Sequence, residues 1–399
     1  MTKSLWKQRN FMLLWSGQLA SWMGTEVTGI ALPLVVLALT GSPGQAGIVA
    51  AIRGIVYVIW SIPAGALLDR WDRKAVMVVS NLGSGLAMGS ISLALALHEL
   101  TLIQLCLACA VEGSFFVFAN LGRFASLPRV VSREQFPAAS AQLETADHNA
   151  ILTGPPLGGF LYQAAGGFAT FLADALSYII NALTVLLIAV PLSMERPDEY
   201  TTIRHDIREA VSWYRKQPIL RFLNLITAGR VAVMSGLYLL IILLAREHNA
   251  SAIAIGLIFA VAALGGILGS LVAGRVHGRF GLRQILLGVN LVSLLIVTLY
   301  AFAGDVYTLA AITALFYAVD PVHQVATASY SAAAIPDAIR GRVVSLTRLQ
   351  VLGANSFGLF AAGVTSQYLG SNWTIGLFAL VLLAMVVGVA TDIPRIPQS

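Results

Sequence analysis

Twelve apolar runs alternate with short polar joints along the chain, at 11–39, 46–68, 74–96, 101–123, 141–165, 168–191, 220–245, 252–274, 283–303, 306–330, 342–367 and 372–391. Each approaches or exceeds the roughly 20 residues an α-helix needs to cross the hydrocarbon of a bilayer. The pattern predicts an all-α membrane protein with twelve transmembrane helices. Gly and Pro recur inside the runs, which lipid-embedded bundles tolerate better than soluble helices do. Gly85/Gly89, Gly154/Gly158 and Gly265/Gly269 each place two glycines four residues apart, a spacing that lets helix backbones approach closely.

The polar joints repeat. Gly65 to Lys74 packs Asp69, Arg70, Asp72, Arg73 and Lys74 between the second and third runs. Gly274 to Arg283 joins the eighth and ninth, with Gly65 matching Gly274, Arg70 matching Arg279, Trp71 matching Phe280 and Lys74 matching Arg283, an offset of 274 − 65 = 209. After the fourth and tenth runs, Leu127-Pro128 and Ile335-Pro336 precede Arg129 and Arg340 at an offset of 336 − 128 = 208. Two joints with one period predict two pseudo-symmetric six-helix halves, as in two-halved transporters. The expected organisation is an N-terminal half at 1–191, a joint at 192–219 and a C-terminal half at 220–399. Within the joint, Ile203, Ile207, Val211 and Tyr214 fall at helical spacing, with Arg204, Arg208 and Arg215 on other faces. That predicts an amphipathic helix on the inner membrane surface, tethering the halves.

Charge sets the direction. With the N-terminus inside, cytoplasmic joints, tails and adjoining helix ends hold 22 of the 25 Lys and Arg, leaving Arg53, Arg230 and Arg246. This asymmetry predicts a multi-pass protein of the cytoplasmic (inner) membrane with both termini cytoplasmic. Only 11% of residues are charged and 57% are hydrophobic, against about 25% charged in soluble domains, so a soluble protein is excluded. The net charge of +6 is spread over short loops, which does not point to nucleic acid. Cys106 and Cys109 lie three apart in an apolar run without a nearby His or second pair. They read as small buried helix residues, and no metal or cofactor is expected.

Five ionisable residues inside the runs are the candidate chemistry: Glu26 in the first, Arg53 in the second, Glu112 in the fourth, Arg230 in the seventh and Asp320 in the tenth. A charge at bilayer depth is costly unless it faces water, a partner or a substrate. An embedded carboxylate can load and release protons; the alternative is a fixed pair, such as Glu26 with Arg53. Arg230 and Asp320 either bind substrate charge or pair with each other. Asp174 is expected as a helix-terminal acid toward the outer side, and Asp147 and His148 as solvated residues near the cytoplasmic end of the fifth run.

Several of these stretches together resemble the major facilitator superfamily, over essentially the whole chain. Gly65–Lys74 resembles its signature loop between helices 2 and 3. Gly154-Pro155-Pro156-Leu157-Gly158-Gly159 resembles the motif of helix 5 in its antiporters, with His148, Asn149 and Ala150 standing where further glycines would fall. Leu14-Trp15-Ser16-Gly17-Gln18, Ala31-Leu32-Pro33, Leu39-Thr40-Gly41-Ser42 and Gly341-Arg342-Val343 are similar to the drug:proton antiporter branch that holds macrolide exporters, the enterobactin exporter and a lysophospholipid transporter. The resemblance implies a major facilitator fold whose helices 1, 4, 7 and 10 line a central cavity, each here carrying one embedded charge. It implies that Gly65, Asp69, Arg70, Arg73 and Lys74 form a cytoplasmic gating loop. It implies a kinked, tightly packed helix 5 through Gly154, Pro155, Gly158 and Gly159.

The function expected on these grounds is secondary active transport: proton-coupled export of amphipathic or hydrophobic small molecules, as a monomer in the bilayer, by alternating access. The alternatives are a siderophore or lysophospholipid carrier of the same branch, or a non-transporting membrane sensor. His-Glu-x-x-His, Gly-x-Ser-x-Gly and phosphate-loop patterns are absent, so neither an enzyme nor an ATP-driven pump is expected.

Overall fold

A computed structural model of the chain describes residues 4–68, 70–193, 203–336 and 339–392. All regular structure among them is helical. The long helices are α1 (Arg9–Thr40), α2 (Pro43–Leu68), α3 (Arg73–Ala96), α4 (Leu102–Val130) and α5 (Phe136–Leu186), followed by the short α6 (Ile203–Arg215). Then come α7 (Pro218–Glu247), α8 (Ala252–His277), α9 (Leu282–Leu299), α10 (Val306–Ala334), α11 (Arg340–Leu369) and α12 (Ser371–Asp392). Ten helical stretches among the described residues are long and apolar enough to cross a membrane, which makes this a multi-pass membrane protein.

Local chemistry places the helix ends. Asp72 caps α3, its Oδ1 accepting from Ala75 N at 2.7 Å, and Thr101 caps α4 by accepting from Gln104 N at 3.2 Å. Asp305 caps α10, accepting from Thr308 N at 2.8 Å. The two runs expected at 141–165 and 168–191 form one helix broken at Gly166, whose φ of 70° and ψ of −174° belong to a region open essentially to glycine alone. A side chain there would carry the cost of that backbone, so glycine permits the reversal between the two arms of α5.

Two compact units emerge. Unit 1 comprises Met1–Gly41, Ile52–Tyr200 and Ser251–Gly256; unit 2 comprises Ser42–Ala51, Thr201–Ala250 and Leu257–Ser399. In unit 1, α1 packs against both arms of α5. A Cβ on Gly158 would sit 2.5 Å from the Val27 carbonyl, and one on Gly24 would meet Ser177 and Asp174. Close approach, rather than backbone freedom, is what these glycines supply. In the same unit α4 meets α2 where Gly113 abuts Arg53, and the first turn of α8 rests on Gly159 and Pro155.

Unit 2 follows the same packing logic. Gly358 of α11 lies against the Ala232 carbonyl of α7, and Gly265 and Gly269 of α8 lie against the Ala314 and Ala318 carbonyls of α10. The first turns of α2 join this unit: Gly47 abuts Gly363, and the Ser42 hydroxyl and Gly44 N both donate to Gln367 Oε1, at 2.6 and 2.9 Å.

The last turn of α6 packs within unit 2. Tyr214 is buried with Leu220, Ile335, Ile339 and Val343, and its hydroxyl donates to Gln350 Oε1 at 3.1 Å. Arg342 donates to Glu209 at 2.6 Å. Through Trp213 and Tyr214 this turn meets residues of α7, α10 and α11. The side chains of Ile203 and Ile207 lie outside the described residues.

Candidate functional site

The five embedded residues fall into two groups, one in each unit. In unit 1 the centre is Glu112 on α4, only 3% exposed. Arg53 Nη2 stands 3.1 Å from Glu112 Oε1, an ion pair whose angle falls outside that of a hydrogen bond. The Tyr178 hydroxyl donates to the same oxygen at 2.6 Å. With that proton committed, Tyr178 accepts from the Thr25 hydroxyl at 3.2 Å. Arg53 also lies over the Phe116 ring, its guanidinium carbon 4.2 Å from the centroid. So α1, α2, α4 and the second arm of α5 all contribute to holding one buried carboxylate. Its charge is compensated by a cation and a short charge-assisted hydrogen bond.

Asp174 is the second buried acid of unit 1. It accepts from Thr28 at 2.9 Å and is 2% exposed. It is not a helix-terminal acid at an interface: it sits on the second arm of α5, whose residues Asp174, Ser177, Tyr178 and Asn181 form one face at i, i+3, i+4 and i+7. That polar periodicity inside an apolar run is the signal that sequence reading missed. Glu26, half-buried on α1, packs against Gly154 of α5. Arg53 takes Glu112 as its ion-pair partner rather than Glu26.

A further pair lies nearer the α4–α5 joint. Arg123, 2% exposed, directs Nη1 to Asp147 Oδ2 at 3.4 Å and Nη2 to Asn120 Oδ1 at 3.2 Å. Asp147 is therefore buried and paired, not solvated, whereas His148 is exposed. The difference arises because α4 continues to Val130, seven residues beyond the expected end at 123, which carries Arg123 into the packed interior.

In unit 2, Arg230 of α7 is 4% exposed and reaches Asp320 Oδ1 of α10 with Nη2 at 3.3 Å. Its Nη1 donates to Asn290 Oδ1 at 3.4 Å and Ser293 Oγ at 3.1 Å, both on α9. Gln324 donates to Asp320 Oδ2. His323 is buried beside this pair with Nε2 3.1 Å from the Thr227 hydroxyl. Of the two roles open to Arg230 and Asp320, the mutual pair is the arrangement present. Asn290, Ser293 and His323 escaped sequence reading; polar spacing of three again marks them, at 290/293 and 320/323.

The two carboxylates are related. The interval 320 − 112 = 208 equals that between the proline joints, so Glu112 and Asp320 occupy equivalent places in the repeat. Each is answered by an arginine on a different helix.

The charged joint of unit 1 is tied down locally. Asp72 Oδ2 accepts from the Ser193 hydroxyl at 3.2 Å, Arg73 Nη1 donates to the Ala125 carbonyl at 3.0 Å, and Lys74 Nζ to the Ile188 carbonyl at 2.7 Å. Gly65 lies in the last turn of α2, where a Cβ would meet nothing within 4 Å, and Arg70 is exposed. Asp69 lies outside the described residues. Cys106 and Cys109 are unbonded on α4, and no cluster of metal-ligating side chains occurs among the described residues.

Within each unit, apolar membrane-length helices surround charges that are paired with one another. Residues 14–243 and 223–397 match the profile of the Major Facilitator Superfamily, and the chain belongs to that family. It is 24% identical over 407 residues to the multidrug efflux pump Tap of Mycolicibacterium fortuitum, covering 98% of this chain and 97% of that one. It is 25% identical over 386 residues to the enterobactin exporter EntS of Salmonella choleraesuis strain SC-B67, covering 94% and 92%. The fold is similar to that of a crystallised mutant of the nucleoside transporter NupG, with a TM-score of 0.74 at 13% identity over 96% of this chain and 100% of that one.

Proposed function

We propose that this transporter is a secondary active exporter of the cytoplasmic membrane that moves amphipathic or apolar small molecules outward against entering protons. The observation that carries the reading is the pair of repeat-related carboxylates, Glu112 buried and Asp320 half-buried, each held by an arginine. A carboxylate that gains a proton releases its arginine, and one that loses it recaptures it. Ion pairs of this kind convert protonation into a change of helix packing, which is what coupling requires. Glu26, half-buried and outside both pairs, is the third acid available to a proton or a cationic substrate.

The reading takes the chain as twelve spans. Ten stretches qualify by length and apolarity; Gly166 divides one of them, and α11, more polar than the rest, supplies the last. Residues 1–191 and 220–399 then form the two halves, joined by 192–219, with both termini in the cytoplasm and a monomer as the working unit. Alternating access follows from the repeat. The joint at Gly65, Asp69, Arg70, Arg73 and Lys74 gates the cytoplasmic side, and Gly154, Pro155, Gly158 and Gly159 hold the first arm of α5 tightly enough to move with α1. The names of the relatives, a multidrug efflux pump and an enterobactin exporter, support export by a chain of this kind.

A second reading, a siderophore or lysophospholipid carrier, is favoured by Arg53. Its side chain is 32% exposed while stacked on Phe116, a cation and ring suited to an anionic aromatic group. Reconstituted protein loaded with a cationic dye or with a catecholate, and given a pH gradient without nucleotide, separates the readings. Gradient-driven movement of the dye supports the first; movement of the catecholate alone supports the second.

A further inference from the structure

Unit 2 carries an apolar groove of about 790 Å³ walled by α8 and α9 and floored by α10. Leu268 and Val272 form one wall, Val292 and Ile296 the other, and Leu315 and Val319 the floor. Gly288 on α9 leaves the space open, a Cβ there meeting nothing within 4 Å, while Gly269 brings α8 against the Ala318 carbonyl to close its back. Along α9 the groove runs from Gln284 to Ile296, a rise of ~18 Å at 1.5 Å per residue. One leaflet of hydrocarbon is about 15 Å deep, so the groove starts at the α8–α9 joint and ends near the bilayer midplane.

At the matching positions of the repeat, unit 1 carries larger side chains. At the offset of 209, Gly269 and Gly288 correspond to 269 − 209 = 60 and 288 − 209 = 79, which are Trp60 and Val79. There an indole, packed 5.6 Å from the Phe118 ring, and a valine stand where unit 2 has two glycines.

The mouth is cationic. Arg279 and Arg283 flank the lining residues Phe280 and Gln284, and both are exposed. Arg275 and His277 close the last turn of α8. Arg283, on the other face of α9, donates Nη2 to the Ala390 carbonyl of α12 at 2.7 Å, which leaves Arg279 as the arginine beside the groove. No acidic residue occurs between Glu247 and Asp305, so nothing in this stretch of chain neutralises the cluster.

We propose that the groove is a binding site for an anionic phospholipid of the leaflet covering the α8–α9 joint, with one acyl chain along α8–α10 and the phosphate at Arg279. An apolar slot one leaflet deep takes the chain, and the arginine at its mouth selects the headgroup, since guanidinium groups match phosphate geometry. A flat lipid-facing surface would offer neither feature.

The test is native mass spectrometry of the full chain released from nanodiscs of equal phosphatidylglycerol and phosphatidylcholine. The wild type retains phosphatidylglycerol preferentially. The preference falls on the order of fivefold in Arg279→Gln, the factor equivalent to ~1 kcal/mol per basic residue at an anionic surface. Gly288→Trp lowers retention of both lipids; a Cβ there meets nothing within 4 Å, and an unchanged Tm in phosphatidylcholine verifies its fold. Independently, phosphatidylglycerol bearing a photoreactive acyl chain crosslinks the wild type at Leu268 to Val272 and Gly288 to Ile296. Equal retention of the two lipids by the wild type, unaltered retention by Gly288→Trp, or crosslinks scattered over all lipid-facing helices overturns the proposal.

Discussion

Glu112 illustrates how a single side chain is made tolerable in hydrocarbon. Arg53 supplies the opposite charge at 3.1 Å and Tyr178 a hydrogen bond at 2.6 Å to the same oxygen. Tyr178→Phe removes a hydrogen bond to a charged acceptor, a change typically costing ~1.5–3 kcal/mol, and is expected to lower Tm in detergent without changing expression or insertion. Arg230 and Asp320 form the sharper test. Breaking a buried pair by removing one partner costs about 3–5 kcal/mol because the other charge is stranded. Arg230→Met is therefore expected to destabilise strongly, and Arg230→Met with Asp320→Asn to recover a large part of the loss. Thermal melts of the four proteins in that cycle decide it: additive losses would mean the two residues do not act as a pair. These contacts also mark where sequence reading stops. The presence of Glu112, Arg230 and Asp320 was legible because charge in an apolar run is rare, but their partners lie 59 to 90 residues away along the chain, and only packing brings them together.

At the scale of the helices, glycines decide what touches what. Gly158 sits so close to the Val27 carbonyl that a Cβ would stand 2.5 Å away. Gly158→Val is expected to force α1 and α5 apart, costing about 1–3 kcal/mol as overpacking does. Gly166→Ala is expected to cost ~1–3 kcal/mol by a different route, the left-handed backbone at the reversal of α5. Both losses appear as lowered Tm, and because Gly158 faces the Val27 backbone, trimming the Val27 side chain is not expected to relieve the first. The cap of α10 adds a pH-dependent contribution. The Thr308 N–H donated to Asp305 holds that carboxyl below the ordinary range, so its stabilisation is present above the unfolded carboxylate pKa and fades as pH falls through the folded one. Asp305→Asn is expected to flatten the acid limb of a Tm-against-pH curve between pH 5 and 3, estimated on the order of the ordinary Asp range; an unchanged limb contradicts it. Helix existence was legible from apolar run length. Helix ends were less so: α4 outran its expected end because its last turns are amphipathic, and Arg123 was misjudged with it.

For the whole molecule, the internal period was the most informative feature of the sequence. It arose from two charged or proline-marked joints, and Glu112 and Asp320, the arginine-paired carboxylates of the two units, obey it. It also shows where the units differ: Trp60 and Val79 in the first, Gly269 and Gly288 in the second. The linker was legible as an amphipathic helix, but the packing of its last turn within unit 2 was not, since an apolar stripe looks the same whether lipid or protein covers it. Substrate choice depends on side chains gathered from many helices and was not legible at all. Proton coupling is a property of the assembled molecule, and one experiment addresses it. Inside-out proteoliposomes of wild type, Glu26→Gln and Glu112→Gln are given an acidic lumen, without nucleotide, and uptake of a cationic dye is followed beside equilibrium binding. The account predicts accumulation by wild type, and binding without accumulation in at least one of the two variants. Wild-type protein that never accumulates dye or catecholate against its gradient, or two variants that accumulate dye as fast as wild type, would contradict it.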